Sequence, residues 1–328
     1  PAVLVLSRAE VERLIDPDRL REAIAKAMAD LSAGKSSMPA RIAAMVPERD
    51  ALLAAMPAYL PSSGALTTKL VTLFPKNTDR PTHQAVIVVF DPEHGTPLAL
   101  LDGEAITAAR TAAGSALATD LLARKDSKTL VVIGTGVQAR AHLRAVSRVR
   151  QFEVIAIAAR DPNKAEALAD EFERESGHRA HWHDTIELGV SAGDVVCACT
   201  HSAEPVIRRE WLSAGAHVTS VGYNTAGREV DGATFRDALV VVESRAATLA
   251  PPPAGSNDIA MAIAEGAMTR DHVHAELGEL VSGTRPGRTD RDQITLYKSV
   301  GVAVQDAAAA AMVLDAARSS GVGRTVDL

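Results

Sequence analysis

The sequence has few aromatic residues, two cysteines and no long apolar run. Only ten of its 328 residues are aromatic (five Phe, three Tyr and two Trp), so the core must be built from Ala, Val, Leu and Ile. So few rings also argue against a base-stacking surface. No apolar run approaches the ~18 residues of a membrane helix. Asp and Glu (41) outnumber Lys and Arg (35), which argues against nucleic acid as a partner.

The cysteines and histidines do not form metal-binding patterns. Cys197 and Cys199 lie two apart in VVCACT, where a strand would place both on one face, and we expect inert core thiols. His181-x-His183 and His272-x-His274 lack helical metal spacing and an acidic ligand cluster, so no metal is predicted. The amino end has no basic start and no secretory cleavage pattern. We expect a cytoplasmic enzyme of about two domains, at ~150 residues each.

The first third of the chain predicts an antiparallel or mixed sheet with helices on one side. Ser7 and Glu10, after the strand-like AVLVL, have the spacing of a capping box, and Pro17 opens a second helix that ends before Gly34. QAVIVVF and LALLDG, separated by DPEHGTP, predict a hairpin. A helix over about 104–123 follows. The other strand-like runs are ARIAAMV, LLAAMPAYL and ALTTKLVTLF.

From residue 129 short apolar strands alternate with helical stretches, which is typical of a doubly wound parallel sheet. Near the end, residues 299–319 predict a long Ala-rich helix that stops at Gly321 and folds back onto the first domain. The predicted parallel strands are TLVVI, EVIAIAA, HRAHWH, DVVCAC, HVTSVG and LVVVES.

A glycine signature, Gly134-x-Gly136-x-x-Ala139, joins the first parallel strand to a helix. The first glycine permits a tight turn, the second lets the backbone approach a pyrophosphate, and the alanine allows close packing. Exposed amides at the helix start then hold the anion. A second strand begins about twenty residues later, as a dinucleotide-binding unit requires.

The tip of the second parallel strand predicts which dinucleotide binds. An acid there would hold a ribose 2′-hydroxyl and select NAD, but the tip is Ala159, followed by Arg160. A cation at this place can pair with a 2′-phosphate, which favours NADP(H), with NAD(H) possible. The alternative is that Arg160 is solvated and Asp161 holds the ribose.

Three cations lie near apolar positions of predicted elements. Arg110 falls on a stripe with Ile106 and Leu117, so its guanidinium needs an anionic partner, either an internal salt bridge or a ligand carboxylate. Lys69 shares a strand face with Val71, where it could serve acid–base chemistry or protect an edge strand. Arg41 in MPARIAAMV is a similar, weaker case.

Together these motifs resemble the ornithine cyclodeaminase/mu-crystallin family over nearly the whole chain. The resemblance implies a homodimeric α/β protein in which an α+β substrate-binding and dimerisation domain (1–124) precedes a Rossmann domain (125–300). A carboxyl-terminal helix (301–328) would return to the first domain. The matching motifs are KLVTLFPKN, THQAVIVVFDP, LDGEAITAARTAA, VVIGTGVQA, GAHVTSVG, GREVD and ITLYKSVGVAVQD.

The resemblance also implies roles for single residues. Arg41, Lys69 and Arg110 would surround the substrate carboxylate and the reacting nitrogen, and Val300 would line the substrate pocket. Ornithine cyclodeaminases carry an aspartate where this chain has Asn224, which cannot serve as a base near neutral pH. The implied cofactor contacts are Gln84, Arg110, Thr111, Val137, Gln138, Thr200, Val221, Arg228 and Ser299, beside Gly134, Gly136, Ala159 and Arg160.

The sequence therefore predicts an NAD(P)H-dependent reductase of a small cyclic α-imino acid, such as Δ1-pyrroline-2-carboxylate or Δ1-piperideine-2-carboxylate. Lys69 would help to protonate the product amine and Asn224 would orient the nitrogen or a water. The alternatives are an ornithine cyclodeaminase, an alanine-dehydrogenase-like enzyme, and a cofactor-dependent ligand-binding protein. A small-molecule substrate is expected, with neither nucleic acid nor membrane as partner.

Overall fold

The structure, a computed structural model, describes residues 2–328. The strands are β1 (Ala2–Leu6), β2 (Ile42–Val46), β3 (Ala51–Leu60), β4 (Ala65–Leu73), β5 (His83–Phe90), β6 (Pro97–Asp102), β7 (Thr129–Ile133), β8 (Val154–Ala158), β9 (His181–His183), β10 (Val195–Ala198), β11 (His217–Ser220), β12 (Leu239–Val242), β13 (Val273–Glu276), β14 (Thr295–Lys298) and β15 (Arg324–Asp327). The helices are α1 (Arg8–Leu14), α2 (Pro17–Ser32), α3 (Gly103–Leu122), α4 (Val137–Val146), α5 (Pro162–Ser176), α6 (Ile186–Ala192), α7 (Gly232–Asp237), α8 (Arg245–Thr248), α9 (Asn257–Ala264), α10 (Leu277–Val281) and α11 (Ala303–Ser320). Of these helices, none is long and apolar enough to cross a membrane.

Contacts divide the chain into two compact units. One contains the residues up to Arg110 together with Val302–Leu328, and the other is Thr111–Gly301. The first division falls inside α3 and not at the predicted residue 124. The reason is that Ala112 and Ala116, in the later part of α3, pack into the core of the second unit.

The first unit is built on a mixed seven-stranded sheet with the order β15-β1-β6-β5-β4-β3-β2. Only β1 and β6 pair in parallel; the other neighbours are antiparallel. The predicted hairpin of β5 and β6 is confirmed. α11 packs on β3, β4 and β5, and α2 packs on α11. The sheet therefore has its helices on the face that also carries Lys69, which is buried.

The ends of the helices follow local chemistry. The predicted capping box of Ser7 and Glu10 starts α1, and Asp16 caps α2 just before Pro17. The long final helix begins at Ala303 and not at the predicted residue 299. Gly301 has a φ of 78°, in the left-handed region that a helix cannot continue through. The same helix ends at its predicted stop, Gly321, which has a φ of 66°.

The second unit contains an all-parallel eight-stranded sheet with the order β13-β12-β14-β11-β10-β7-β8-β9. Alternate residues of β7 enter two different cores, Val131 one and Val132 the other, so both faces of the sheet are covered. This confirms the predicted doubly wound sheet and its six strands. The short β13 and β14 were not predicted. The chain order reverses between β7 and β10, where such sheets bind ligands at their carboxyl ends.

The cysteines lie in this second sheet. Cys197 and Cys199 are buried and free, as predicted, and burial raises the pKa of the Cys197 thiol to about 12. Because only the thiolate is reactive, both are inert core residues.

Candidate active site

Lys69 projects from the middle of the first unit's sheet into its interior. The side chain is 3% exposed, and its Nζ lies 2.9 Å from the Asp306 carboxylate and 3.5 Å from the Thr107 hydroxyl. β4 has β3 on one side and β5 on the other. The interpretation of Lys69 as an edge-strand guard is therefore wrong. Burying an ammonium group in the interior of a sheet costs free energy unless the charge is paired and hydrogen-bonded.

Arg110 meets the same carboxylate from α3. Its Nε donates to Asp306 over 3.0 Å, and its Nη1 donates to Gln305 over 3.2 Å. Of the two partners that the sequence left open, the internal salt bridge exists. A guanidinium has five N–H groups, so among residues 2–328 these contacts leave the Nη2 edge for a ligand carboxylate.

The charges of this cluster are coupled. Burial, together with the positive charges of Arg110 and Arg41, lowers the pKa of Lys69 to about 8, although Asp306 acts to raise it. Burial alone would raise the pKa of Asp306, but Lys69 and Arg110 hold it below its ordinary value. A lysine that titrates near 8 can donate a proton at neutral pH more readily than an ordinary lysine.

Two further residues of the first unit were assigned from the sequence. Arg41 is partly buried, and its positive charge is close enough to lower the pKa of Lys69. Gln84 is not part of this cluster. It pairs with Thr72 in the register of β4 and β5, whereas Lys69 pairs with Ile87, so Gln84 lies on the opposite face of the sheet.

His83 lies on the face that carries Lys69 and was missed by sequence reasoning. It is two residues from Ala85, which is buried on that face. Burial and the nearby Lys69 and Arg110 charges lower the pKa of His83. Only the strand register, which the sequence does not state, could have placed it there.

The second unit carries the phosphate cradle at the end of β7. Gly134 has a φ of 115°, and a Cβ there would lie 2.7 Å from the Cys199 carbonyl oxygen, so only glycine fits. Gly136 precedes α4 without a side-chain cap, and a Cβ there would meet open space. Ala139 is fully buried. The uncapped N–H groups of the ten-residue α4 therefore fit a dinucleotide pyrophosphate, which Val137 and Gln138 would flank.

The tip of β8 carries the two residues on which the prediction of a 2′-phosphate rests. Ala159 is buried, and Arg160 is exposed with no acid before it. The Asp161 carboxylate, the alternative ribose ligand, accepts the N–H of Asn163 and caps α5. Arg160 at this tip is therefore exposed, whereas the neighbouring Asp161 carboxylate is engaged in capping α5.

A buried carboxylate, Glu229, organises the loops that follow β10 and β11. It accepts the Thr200 N–H (2.6 Å) and hydroxyl (2.8 Å), the Ser220 hydroxyl (2.7 Å) and the Gly222 N–H (2.9 Å). Lys298, 1% exposed, donates to Ser220 and to the Gly222 carbonyl. Thr200 and Val221, two predicted cofactor contacts, are therefore held by this network.

The loop after β14 is held by a second buried carboxylate. Glu243 accepts the Ser299 hydroxyl over 2.7 Å and the N–H groups of Val300 (2.8 Å) and Gly301 (3.0 Å). Ser299 and Val300 were predicted to contact cofactor and substrate. Glu229 and Glu243 were not predicted. In the sequence alone, a glutamate between apolar strands cannot be told from an exposed loop residue.

Comparison with known proteins identifies the family. Residues 2–321 match the ornithine cyclodeaminase/mu-crystallin family. The chain belongs to this family. The family and the α/β fold class predicted from the sequence are confirmed.

Three relatives show the range of the family. Mouse ketimine reductase mu-crystallin is 36% identical over 295 residues, covering 88% of this chain and 89% of the mouse protein. The solved Δ1-pyrroline-2-carboxylate reductase of Thermococcus litoralis, in complex with NADH and L-proline, has a TM-score of 0.93 and 38% identity over 99% of this chain and 100% of that one. An archaeal alanine dehydrogenase dimer with bound NAD has a TM-score of 0.92 and 30% identity over all of both chains. The predicted class, an NAD(P)-dependent oxidoreductase acting on C=N or CH–NH groups, is confirmed.

Other family-implied residues have local partners in the second unit. The Asn224 amide donates to the His201 carbonyl over 2.6 Å, and its oxygen accepts the Ala226 N–H over 2.8 Å. Arg228 forms an ion pair of 2.8 Å with Glu265. Thr111, the first residue of this unit, is buried.

The histidine pairs belong to the same unit. His272 and His274 contact the backbone carbonyls of Ala238 and Pro286, respectively. Residues 2–328 contain no group of three or more His, Cys, Asp or Glu side chains that could hold a metal.

Proposed function

We propose that this chain is an NAD(P)H-dependent reductase of a small cyclic α-imino acid, with Δ1-pyrroline-2-carboxylate and Δ1-piperideine-2-carboxylate as substrates and L-proline and L-pipecolate as products. The observation that carries the proposal is the buried pair of Lys69 and Arg110 on a single carboxylate. It offers both a clamp for a carboxylate and a proton donor. The names of two relatives, ketimine reductase and Δ1-pyrroline-2-carboxylate reductase, support the substrate class.

In the proposed reaction, the remaining N–H groups of Arg110, with Arg41, bind the substrate carboxylate and fix the imine carbon. Nicotinamide, when bound, supplies the hydride that forms the new C–H bond. The electron pair of the C=N π bond moves to nitrogen, and the Lys69 ammonium gives a proton to that nitrogen. Lys69 then regains its proton from solvent, so one hydride and one proton are consumed in each turnover.

We propose NADP(H) as the preferred cofactor, with NAD(H) also accepted. An exposed cation at Arg160 and the absence of an acid at Ala159 favour a 2′-phosphate. Asp161, which caps α5, supports the same choice. The solved relatives with NADH or NAD are the reason to test both cofactors.

Two rival activities make different demands on these residues. Cyclodeamination of ornithine needs a base where this chain has Asn224, an amide whose two ends both bind backbone groups. This observation favours a reductase. Oxidation of alanine needs only the shared carboxylate clamp and hydride chemistry, and the archaeal alanine dehydrogenase supports it as a second candidate. A purely ligand-binding protein would not need Lys69 buried beside two arginines.

We propose that the protein is a homodimer formed through the sheet face of the first unit that carries no helix. Apolar side chains are exposed on that face, among them Leu53 (43%) and Val86 (39%). The neighbouring edge strand exposes Ile42 (71%) and Met45 (61%). The archaeal relative is a dimer. A Val86→Lys variant should be monomeric in analytical ultracentrifugation, because it places a charge in the apolar surface. A dimer of unchanged affinity would contradict this surface as the interface.

We propose the cytoplasm as the location of the protein, with which its two free thiols are consistent.

The decisive experiment is NAD(P)H oxidation by the purified protein with each cyclic imino acid, with ornithine and alanine in parallel. Turnover of a cyclic imino acid supports the proposal. Ammonia release from ornithine, or reduction of NAD by alanine only, would replace it with the corresponding rival. Lys69→Ala should lose kcat by about 100-fold or more, whereas Lys35→Ala, on the exposed surface, should not.

A further inference from the structure

Asp306 forms an ion pair with each of the two proposed reactive cations of the first unit, Lys69 and Arg110. It lies in the first turn of α11 and is 1% exposed, among alanines that are also buried. One carboxylate oxygen is 2.9 Å from Lys69 Nζ and the other is 3.0 Å from Arg110 Nε. A bridging carboxylate of this kind fixes the orientation of both cations relative to each other.

The two contacts also decide which donors remain for a ligand. An ammonium has three N–H groups; the Lys69 Nζ donates to the Thr107 hydroxyl over 3.5 Å and forms an ion pair of 2.9 Å with Asp306, which leaves at least one N–H for a ligand. In Arg110, Nε donates to Asp306 and Nη1 donates to Gln305, which leaves Nη2 for a ligand. Asp306 therefore decides, from α11, which donors of both residues remain for a ligand.

Charge balance gives Asp306 a second role. The charged and titratable groups near Lys69 are Arg110 on α3, Arg41 before β2, His83 on β5 and Asp306 on α11. Asp306 is the single anion among them. Without it, a lysine buried beside two arginines would lose its proton to water, because neither burial nor repulsion would be offset.

We propose that Asp306 is a positioning residue that orients Lys69 and Arg110 for the substrate and keeps Lys69 in its ammonium form. This inference rests on the proposed reductase function for its kinetic consequences but not for its electrostatic ones. Asp306 exchanges no proton with the substrate. It acts only through Lys69 and Arg110.

The test measures the titration of Lys69 in the wild type and in Asp306→Asn. NMR of isotope-labelled lysine side chains in the whole protein monitors this titration. The chain has eight lysines, and Lys69→Arg identifies the signal. The midpoint, expected near 8 in the wild type, should fall by about one pH unit or more. The alkaline limb of kcat/KM should move with it. Asp315→Asn, a matched charge change on the exposed side of α11, should move neither.

Each outcome decides a different claim. An unchanged Lys69 midpoint in Asp306→Asn would overturn the inference even if activity fell. If that variant does not fold, Asp306→Glu keeps the charge but moves it, and should lower kcat/KM about tenfold or more with the midpoint retained. Wild-type kcat/KM in Asp306→Glu would contradict positioning. A wild type that reduces no imino acid would end the proposed function, whereas the NMR titration would still judge Asp306.

Discussion

The Ser299 hydroxyl donates to the Glu243 carboxylate over 2.7 Å, and the same buried carboxylate accepts the next two backbone N–H groups. One side chain thus determines the course of the chain between β14 and α11. Because Ser299 is a proposed cofactor contact, Glu243 is expected to control cofactor affinity without touching the cofactor.

Glu243→Gln tests this relationship. The amide would turn one acceptor oxygen into a donor facing the N–H of Val300 or Gly301, at a cost of about 1–3 kcal/mol. The loop should shift, and the Kd for NAD(P)H should rise about tenfold, as measured by fluorescence titration. Glu187→Gln, an exposed glutamate on α6, is the control. If the variant is less stable but binds NAD(P)H with unchanged affinity, the loop stabilises the fold and does not control cofactor binding.

The two cradle glycines should separate folding from binding. Gly136 has an ordinary φ of −84° and open space at its Cβ position, so Gly136→Ala should keep the wild-type Tm. The added methyl would stand where phosphate meets the α4 amides, and cofactor Kd should rise about tenfold or more. Gly134→Ala meets both a φ of 115° and the Cys199 carbonyl, so Tm should fall as well. Equal effects of both variants on Tm would contradict this division.

Local sequence patterns were sufficient to predict some parts of the site. Arg110 stood out because a cation interrupts an apolar helical stripe, and the glycine signature followed an apolar strand. Asp306 did not stand out, because an acid in the first turn of a helix is favourable for the helix dipole alone. Its contact with Arg110 spans 196 residues of sequence and exists only once the chain is folded.

Strand order and register account for the other differences. Whether Lys69 lay on an edge or an interior strand could not be decided from β4 alone, because its neighbours are set by pairing with β3 and β5. Gln84 and His83 are adjacent in sequence, and alternation along a strand puts them on opposite faces. A family motif that contains both cannot say which of them faces Lys69.

Arg160→Asp should reverse the cofactor preference. The carboxylate would repel a 2′-phosphate and accept a ribose 2′-hydroxyl, so the ratio of kcat/KM for NADPH to that for NADH should fall about 100-fold or more. Steady-state rates with each cofactor measure it. Arg179→Asp, an exposed arginine before β9, makes the same charge change away from the strand tip and should leave the ratio as it is. A ratio unaltered by Arg160→Asp would remove this residue from cofactor selection.

His142 should make the second unit sensitive to acid. Its Nδ1 lies 2.7 Å from the Gln138 carbonyl and must donate to it; in the neutral ring, Nε2 accepts the Ser115 hydroxyl over 2.8 Å. Burial lowers the pKa of His142 to about 4, against 6.5 for the unfolded chain. Between these two pH values the unfolded state binds more protons than the folded state. The contribution of neutral His142 to the free energy of unfolding is therefore fully present above pH 6.5 and is lost as the pH falls toward 4. The loss should approach about 3 kcal/mol.

Urea unfolding at a series of pH values measures this loss, and the two tryptophans, Trp182 and Trp211, both report on the second unit. His142→Asn cannot titrate, so its free energy of unfolding should depend less on pH between 6.5 and 4 than that of the wild type, even if it is lower at pH 7. His178→Asn, at an exposed position, should retain the wild-type slope. Equal slopes in the wild type and His142→Asn would mean that other groups cause the acid sensitivity.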